Sequence, residues 1–170
     1  MTSRSLLILG GARSGKSRYA QARAEALAGD LIFVATAQAF DDEMTDRIAL
    51  HQADRGPRWT TVEAPVDLAG AIDRHGRATN ILLIDCLTLW TSNLLLADRD
   101  IAAATQQLLL AIARAPALII LVANEVGLGI VPDNALARRF RDEAGRVNQA
   151  IAAAVDEVLF VAAGLPLRLK

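Results

Sequence analysis

Cysteine is nearly absent from this chain: of 170 residues only Cys86 carries a thiol. No internal disulfide framework is possible, and a lone thiol suits a reducing compartment. Histidine occurs twice, as His51 and His75, so no Cys/His cluster of zinc-binding spacing can be assembled and no zinc site is expected. Neither sign of charge is in excess, the formal net charge being −1; this argues against a nucleic-acid or anionic-membrane binder driven by bulk charge. Long apolar runs are missing too, so no membrane span is expected. The opening MTSRSLLILGG has too short an apolar run before its glycines to read as a signal peptide. Hydrophobic residues nevertheless make up 53% and charged residues 22%, a balance that folds rather than staying disordered. The expectation is one cytoplasmic domain over residues 1–170.

What is present is alternation. Short apolar runs at 5–9, 31–36, 80–85, 117–123 and 157–163, with a weaker one at 59–63, are separated by helix-spaced stretches at 16–28, 42–55, 66–74, 101–114 and 135–155. Continuous rather than alternating apolar runs predict strands buried on both faces. Strand–helix alternation predicts an α/β fold, a mostly parallel sheet flanked by helices on both faces. Ligands of such sheets bind at the carboxyl ends of the strands.

The first strand-end loop reads GGARSGKS and fits G-x-x-x-x-G-K-[ST]. Its residues Gly10, Gly11, Ala12, Arg13, Ser14, Gly15, Lys16 and Ser17 are candidate phosphate contacts. The glycines let backbone N–H groups turn inward, Lys16 reaches the β and γ phosphates, and Ser17 holds Mg²⁺. The following helix adds its positive N-terminal end. The fold class is thus that of a P-loop NTPase, RecA-like. Asp85, closing the run ILLID, is the candidate second Mg²⁺ contact. A guanine-reading N-K-x-D is missing: the matching place reads NEVG, residues 124–127, which counts against a regulatory GTPase. There, Asn124 and Glu125 are candidates for positioning an incoming hydroxyl.

RIALHQADR places Arg47, His51 and Arg55 four residues apart, one stripe of a helix that Asp41 would cap. The plainer reading is a solvated surface stripe. The sharper one is phosphate chemistry: flanking cations disfavour protonation of the imidazole and attract phosphate, and a neutral histidine attacking phosphorus gives a phosphoramidate. Spacing leaves both open. His75, before Gly76, suits a helix C-terminus, and Cys86 suits a core position.

Five stretches together resemble the bifunctional adenosylcobinamide kinase/adenosylcobinamide-phosphate guanylyltransferase family over nearly the whole chain: LILGGARSGKSRYAQ, FVATAQAFDDEMTDRIALHQADRGPRWTTVEAP, ILLIDCLTLWTSNLL, ANEVGLGIVPDNALARRFRDEAGRVNQAIA and AAGLPLRLK. Gly56, separating Arg55 from Pro57, departs slightly from the family pattern. The resemblance implies phosphorylation of adenosylcobinamide, a corrinoid, by ATP or GTP with Mg²⁺. It then implies transfer of GMP from GTP to adenosylcobinamide phosphate, giving adenosylcobinamide-GDP and pyrophosphate. It makes His51 the guanylylated nucleophile. It further implies nucleotide contacts from Val34, Ala35, Thr36, Gln52, Ala53, Asp54, Arg55, Glu63 and Asp85, and a homo-oligomer, a trimer. Two alternatives are a monofunctional P-loop kinase, which has no use for a nucleophilic His51, and a non-catalytic nucleotide-sensing module.

Overall fold

The computed structural model describes residues 4–38 and 56–170. The helix expected over 42–55, with His51, Gln52, Ala53, Asp54 and Arg55, lies outside the described residues. In chain order the elements are β1 (Ser5–Gly10), α1 (Lys16–Glu25), β2 (Asp30–Ala35), β3 (Trp59–Glu63), α2 (Leu68–His75), β4 (Asn80–Asp85), α3 (Leu87–Leu96), α4 (Ile101–Arg114), β5 (Leu118–Asn124), α5 (Ala135–Ala154), β6 (Glu157–Ala162) and β7 (Leu165–Arg168). They build one seven-stranded sheet in the order β3-β2-β4-β5-β1-β6-β7. Every pairing is parallel except the closing β6–β7 hairpin.

The apolar runs are continuous because both faces of the sheet are covered. Leu7 of β1 and Leu82 and Ile84 of β4 face one core with α2, α3, α4 and α5. Leu6 and Ile8, with Ile81 and Leu83, face the other, where Ala20 and Ala24 of α1 pack. Each buried Leu, Ile or Val contributes about 1.5–3 kcal/mol. The small alanines let α1 lie close to the sheet, which carries its N-terminus to the end of β1. Asp156 pins the start of β1: its carboxylate accepts from the Arg4 and Ser5 N–H groups at 2.8 and 3.0 Å and from the Ser5 hydroxyl at 3.0 Å. These bonds hold its pKa below the usual carboxylate range.

Two elements differ from expectation. Helix α3 follows β4 with only Cys86 between them, and it is buried almost all round, including Leu87, Trp90, Asn93, Leu94 and Leu95. Its exposed residues are Leu89 and Leu96, with Ser92 half-buried, so the wetted face is itself largely apolar and LTLWTSNLLL shows no apolar–polar contrast. Strand β7 is short, exposed and contains Pro166, which suits only an edge strand. The weak run at 59–63 is a real strand, the parallel edge β3. α2 begins later than its periodicity suggests, because Asp67 caps it by accepting from the Gly70 N–H at 2.8 Å. His75 closes that helix before Gly76, as expected. Among the described residues no helix is long and apolar enough to cross a membrane.

Candidate active site

Gly10 ends β1 between Asn124 of β5 and Val161 of β6. A side chain there would meet Ser14 Oγ and the Val161 carbonyl, both 2.6 Å from its Cβ, so the chain passes only as glycine. The loop then folds on itself. The Ser14 N–H donates to the Gly11 carbonyl at 3.3 Å. Gly15, at φ 93°, turns the chain into α1 without a side-chain cap, which leaves the first-turn N–H groups of the helix for a ligand. Lys16 is buried, and its Nζ donates to the Gly11 carbonyl at 3.1 Å. Residues Arg13, Ser14, Gly15, Lys16, Ser17 and Arg18 line an open cavity of about 380 Å³. Uncapped first-turn N–H groups, two arginines and one lysine give this cavity the chemistry to hold an anion.

Neighbouring strands brace the loop. The Glu125 N–H donates to the Gly10 carbonyl at 3.0 Å, and the Gly164 N–H donates to the Ser14 carbonyl at 2.7 Å. Asn124 is fixed in turn, its N–H bonded to Thr88 Oγ1 at 2.7 Å. The Glu125 carboxylate accepts from the Gly127 N–H at 2.6 Å. Arg138 holds the far end of that loop through the Pro132 and Asp133 carbonyls at 2.9 and 2.7 Å. Arg138 is therefore a loop clamp, while Arg141 pairs with its neighbour Asp142 and Arg139 is exposed. Thus Asn124 and Glu125 do stand beside the phosphate loop.

Asp85 ends β4, half-buried and in register with Ala35 and Val122. One strand, β5, separates it from β1, about 10 Å at ordinary strand spacing. Val34 and Thr36 are fully buried, so their side chains act from beneath. The Thr36 hydroxyl accepts from the Cys86 N–H at 2.7 Å and donates to the Cys86 carbonyl at 2.8 Å. Asn93 joins in, donating to the Thr36 and Pro65 carbonyls at 2.8 and 2.9 Å. The stretch Val34–Ala35–Thr36 thereby fixes where Asp85 sits. Glu63 is exposed at the end of β3, four strands from β1 and so roughly 19 Å away. Sequence reasoning missed Thr88, Asn93 and Gly164, whose roles rest on partners distant in the chain.

Cys86 caps α3, its Sγ accepting from the Leu89 N–H at 3.5 Å. Burial first, and the Asp85 charge second, push its thiol up to about 11. Hence Cys86 is expected to resist a thiol-specific disulfide reagent at pH 8 in the folded protein and to react fully in denaturant. Rapid stoichiometric labelling of the native protein would contradict this.

A glycine-rich loop joining a central parallel strand to a helix N-terminus, with an aspartate ending the next strand but one, defines a P-loop nucleotide-binding protein. Solved structures agree on the fold: an ATPase from the type III secretion system of pathogenic bacteria (TM-score 0.55, 14% identity, 97% of this chain and 56% of that one) and the bacteriophage phi6 P4 protein in complex with ADP (TM-score 0.51, 16% identity, 96% and 52%). This chain spans about half the length of each. Within that class, residues 6–169 match the family profile of cobinamide kinase / cobinamide phosphate guanyltransferase, and the chain belongs to that family. It is 49% identical to the bifunctional adenosylcobalamin biosynthesis protein CobP of Pseudomonas aeruginosa, covering 96% of both chains. It is 43% identical to the corresponding protein CobU of Escherichia coli, covering 97% of this chain and 99% of that one.

Proposed function

We propose that this member of the family carries out both reactions on a corrinoid substrate, using His51 as a covalent relay. In the kinase step the hydroxyl oxygen of adenosylcobinamide attacks the γ-phosphorus of ATP or GTP. The bond from that phosphorus to the β–γ bridging oxygen breaks, a nucleoside diphosphate leaves, and Glu125 accepts the hydroxyl proton. In the second step a neutral His51 nitrogen attacks the α-phosphorus of GTP, breaking its bond to the α–β bridging oxygen and releasing pyrophosphate. A phosphate oxygen of adenosylcobinamide phosphate then attacks the same phosphorus. The P–N bond breaks, His51 is freed, and adenosylcobinamide-GDP forms.

The observation that carries this reading is the braced phosphate loop Gly10–Ser17 in a chain whose family match runs through residues 6–169. Gln52, Ala53, Asp54, Arg55 and Glu63 are proposed to hold the nucleoside, and Val34, Ala35 and Thr36 to hold Asp85 in place. The loop after β5 is proposed to meet the corrinoid, since it exposes Leu128, Ile130 and Val131 beside Asn124 and Glu125. Ser17 and Asp85 offer a hydroxyl and a carboxylate, oxygen ligands that suit Mg²⁺ sharing its shell with phosphates and water. When bound with the nucleotide, Mg²⁺ neutralises phosphate charge. The proposed location is the cytoplasm, where ATP and GTP are supplied.

Covalent labelling tests the relay. The protein is incubated with Mg²⁺ and GTP labelled at the α or at the γ phosphate, then denatured in alkali. Retained α-label that acid releases, with no γ-label, is the expected result. No retained label in a folded, GTP-binding protein would leave a plain kinase or a sensor.

A further inference from the structure

The hairpin that ends the sheet has no part in the reactions described above, yet it touches the phosphate loop. Its turn carries two residues in the left-handed region, Ala163 at φ 51° and Gly164 at φ 79°. That turn delivers the Gly164 N–H to the Ser14 carbonyl at 2.7 Å. The backbones are close: a Cβ placed on Gly15 would lie 3.1 Å from Gly164 Cα.

Peptide geometry gives this contact a consequence. In a trans peptide the C=O and N–H point in opposite directions. A Ser14 carbonyl held toward the hairpin therefore turns the Gly15 N–H away from it, toward the side where phosphate binds. On the other flank, the Glu125 N–H holds the Gly10 carbonyl at 3.0 Å and orients the Gly11 N–H by the same rule. The loop's first and last glycine-bearing peptides are thus fixed from β5 and from the β6–β7 turn before any ligand arrives. Preset donors need no reorganisation when charge is bound.

We propose that the β6–β7 turn is a positioning element of the nucleotide site, and that Gly164 sets the Gly15 N–H as a phosphate donor. The inference rests on reading Gly10–Ser17 as the nucleotide site, and not on the covalent relay. Gly164 is a positioning residue, since it acts through Ser14 and Gly15.

Two variants of the full chain test the turn. Gly164→Pro deletes the N–H and, because proline cannot hold a φ of 79°, also reshapes the turn. Gly164→Ala keeps the N–H and places a methyl in open space. Binding of Mg²⁺-GTP and of guanosine is measured by calorimetry, with the unliganded melting temperature alongside. Gly164→Pro is expected to weaken GTP binding about tenfold or more and to leave guanosine binding unchanged, because the Gly15 N–H is no longer preset as a charge-assisted donor to phosphate. Gly164→Ala is expected to lose only about threefold or less, its strain being local and its donor intact. GTP binding by a folded Gly164→Pro within about threefold of wild type, or an equal loss for guanosine, would overturn the proposal. Amide exchange in the wild type decides the matter should Gly164→Pro not fold. GTP is expected to slow exchange of the Gly164 N–H and not that of Leu167 in the same hairpin. Equal slowing of both, or of neither, would overturn it. Failure of the wild type to bind GTP at all would remove the nucleotide reading and this inference with it.

Discussion

Lys16→Met is expected to reduce both the kinase and the guanylyltransferase rates by about 10²–10³-fold, the range for deleting one preorganised charge donor. That corresponds to about 2.7–4.1 kcal/mol of transition-state stabilisation. Lys16 is buried, and its ammonium lies on the Gly11 carbonyl at 3.1 Å. It is therefore held in the loop, and binding would add phosphate oxygens to a donor already in place. Both proposed reactions would draw on it, because each cleaves a phosphoanhydride of a nucleotide proposed to sit in this loop. Methionine keeps an unbranched apolar stem without the charge. Steady-state kinetics on each half-reaction, with a melting curve as control, checks this. A rate within tenfold of wild type for either half would show that the lysine does not serve that reaction.

His51→Ala is expected to split the two activities. Guanylyl transfer falls by about 10⁴-fold or more, as on removal of an acting nucleophile, while kinase turnover stays close to wild type. The reason is chemical. The kinase step uses the substrate's own hydroxyl as nucleophile, whereas the proposed GMP transfer needs an enzyme nitrogen to carry the group. The two rates are measured separately, nucleoside diphosphate release for one and pyrophosphate release for the other. A parallel fall in both would make His51 a phosphate contact. No fall in either would remove the relay and leave the Arg47–His51–Arg55 stripe as a solvated surface.

Much of the molecule was legible because its signals are local. Buried parallel strands announce themselves as LLIL, LLI and LIILVA, since every second residue has no wet face to serve. GGARSGKS is legible because so tight a loop admits few residue types: at Gly10 a Cβ would lie 2.6 Å from Ser14 Oγ and from the Val161 carbonyl. α3 was not legible, for the opposite reason: the face it exposes carries Leu89 and Leu96, so there is no apolar–polar period to read. Nor was β7, where Pro166 and full exposure hide a strand held only by its hairpin partner.

By itself the sequence determined the fold class, the phosphate loop, the strand-end position of Asp85 and, through whole-chain resemblance, the family. Each of these is written in neighbouring residues, or in a pattern repeated over a short stretch. The tertiary structure alone decided the strand order and which backbones hold the loop. It placed Glu125 on Gly10, Gly164 on Ser14, and Thr36 with Asn93 beneath Asp85. Those bonds are made by main-chain groups that every residue carries, or by ordinary threonine and asparagine side chains. What makes them specific is the parallel packing that brings distant strand ends to one edge of the sheet.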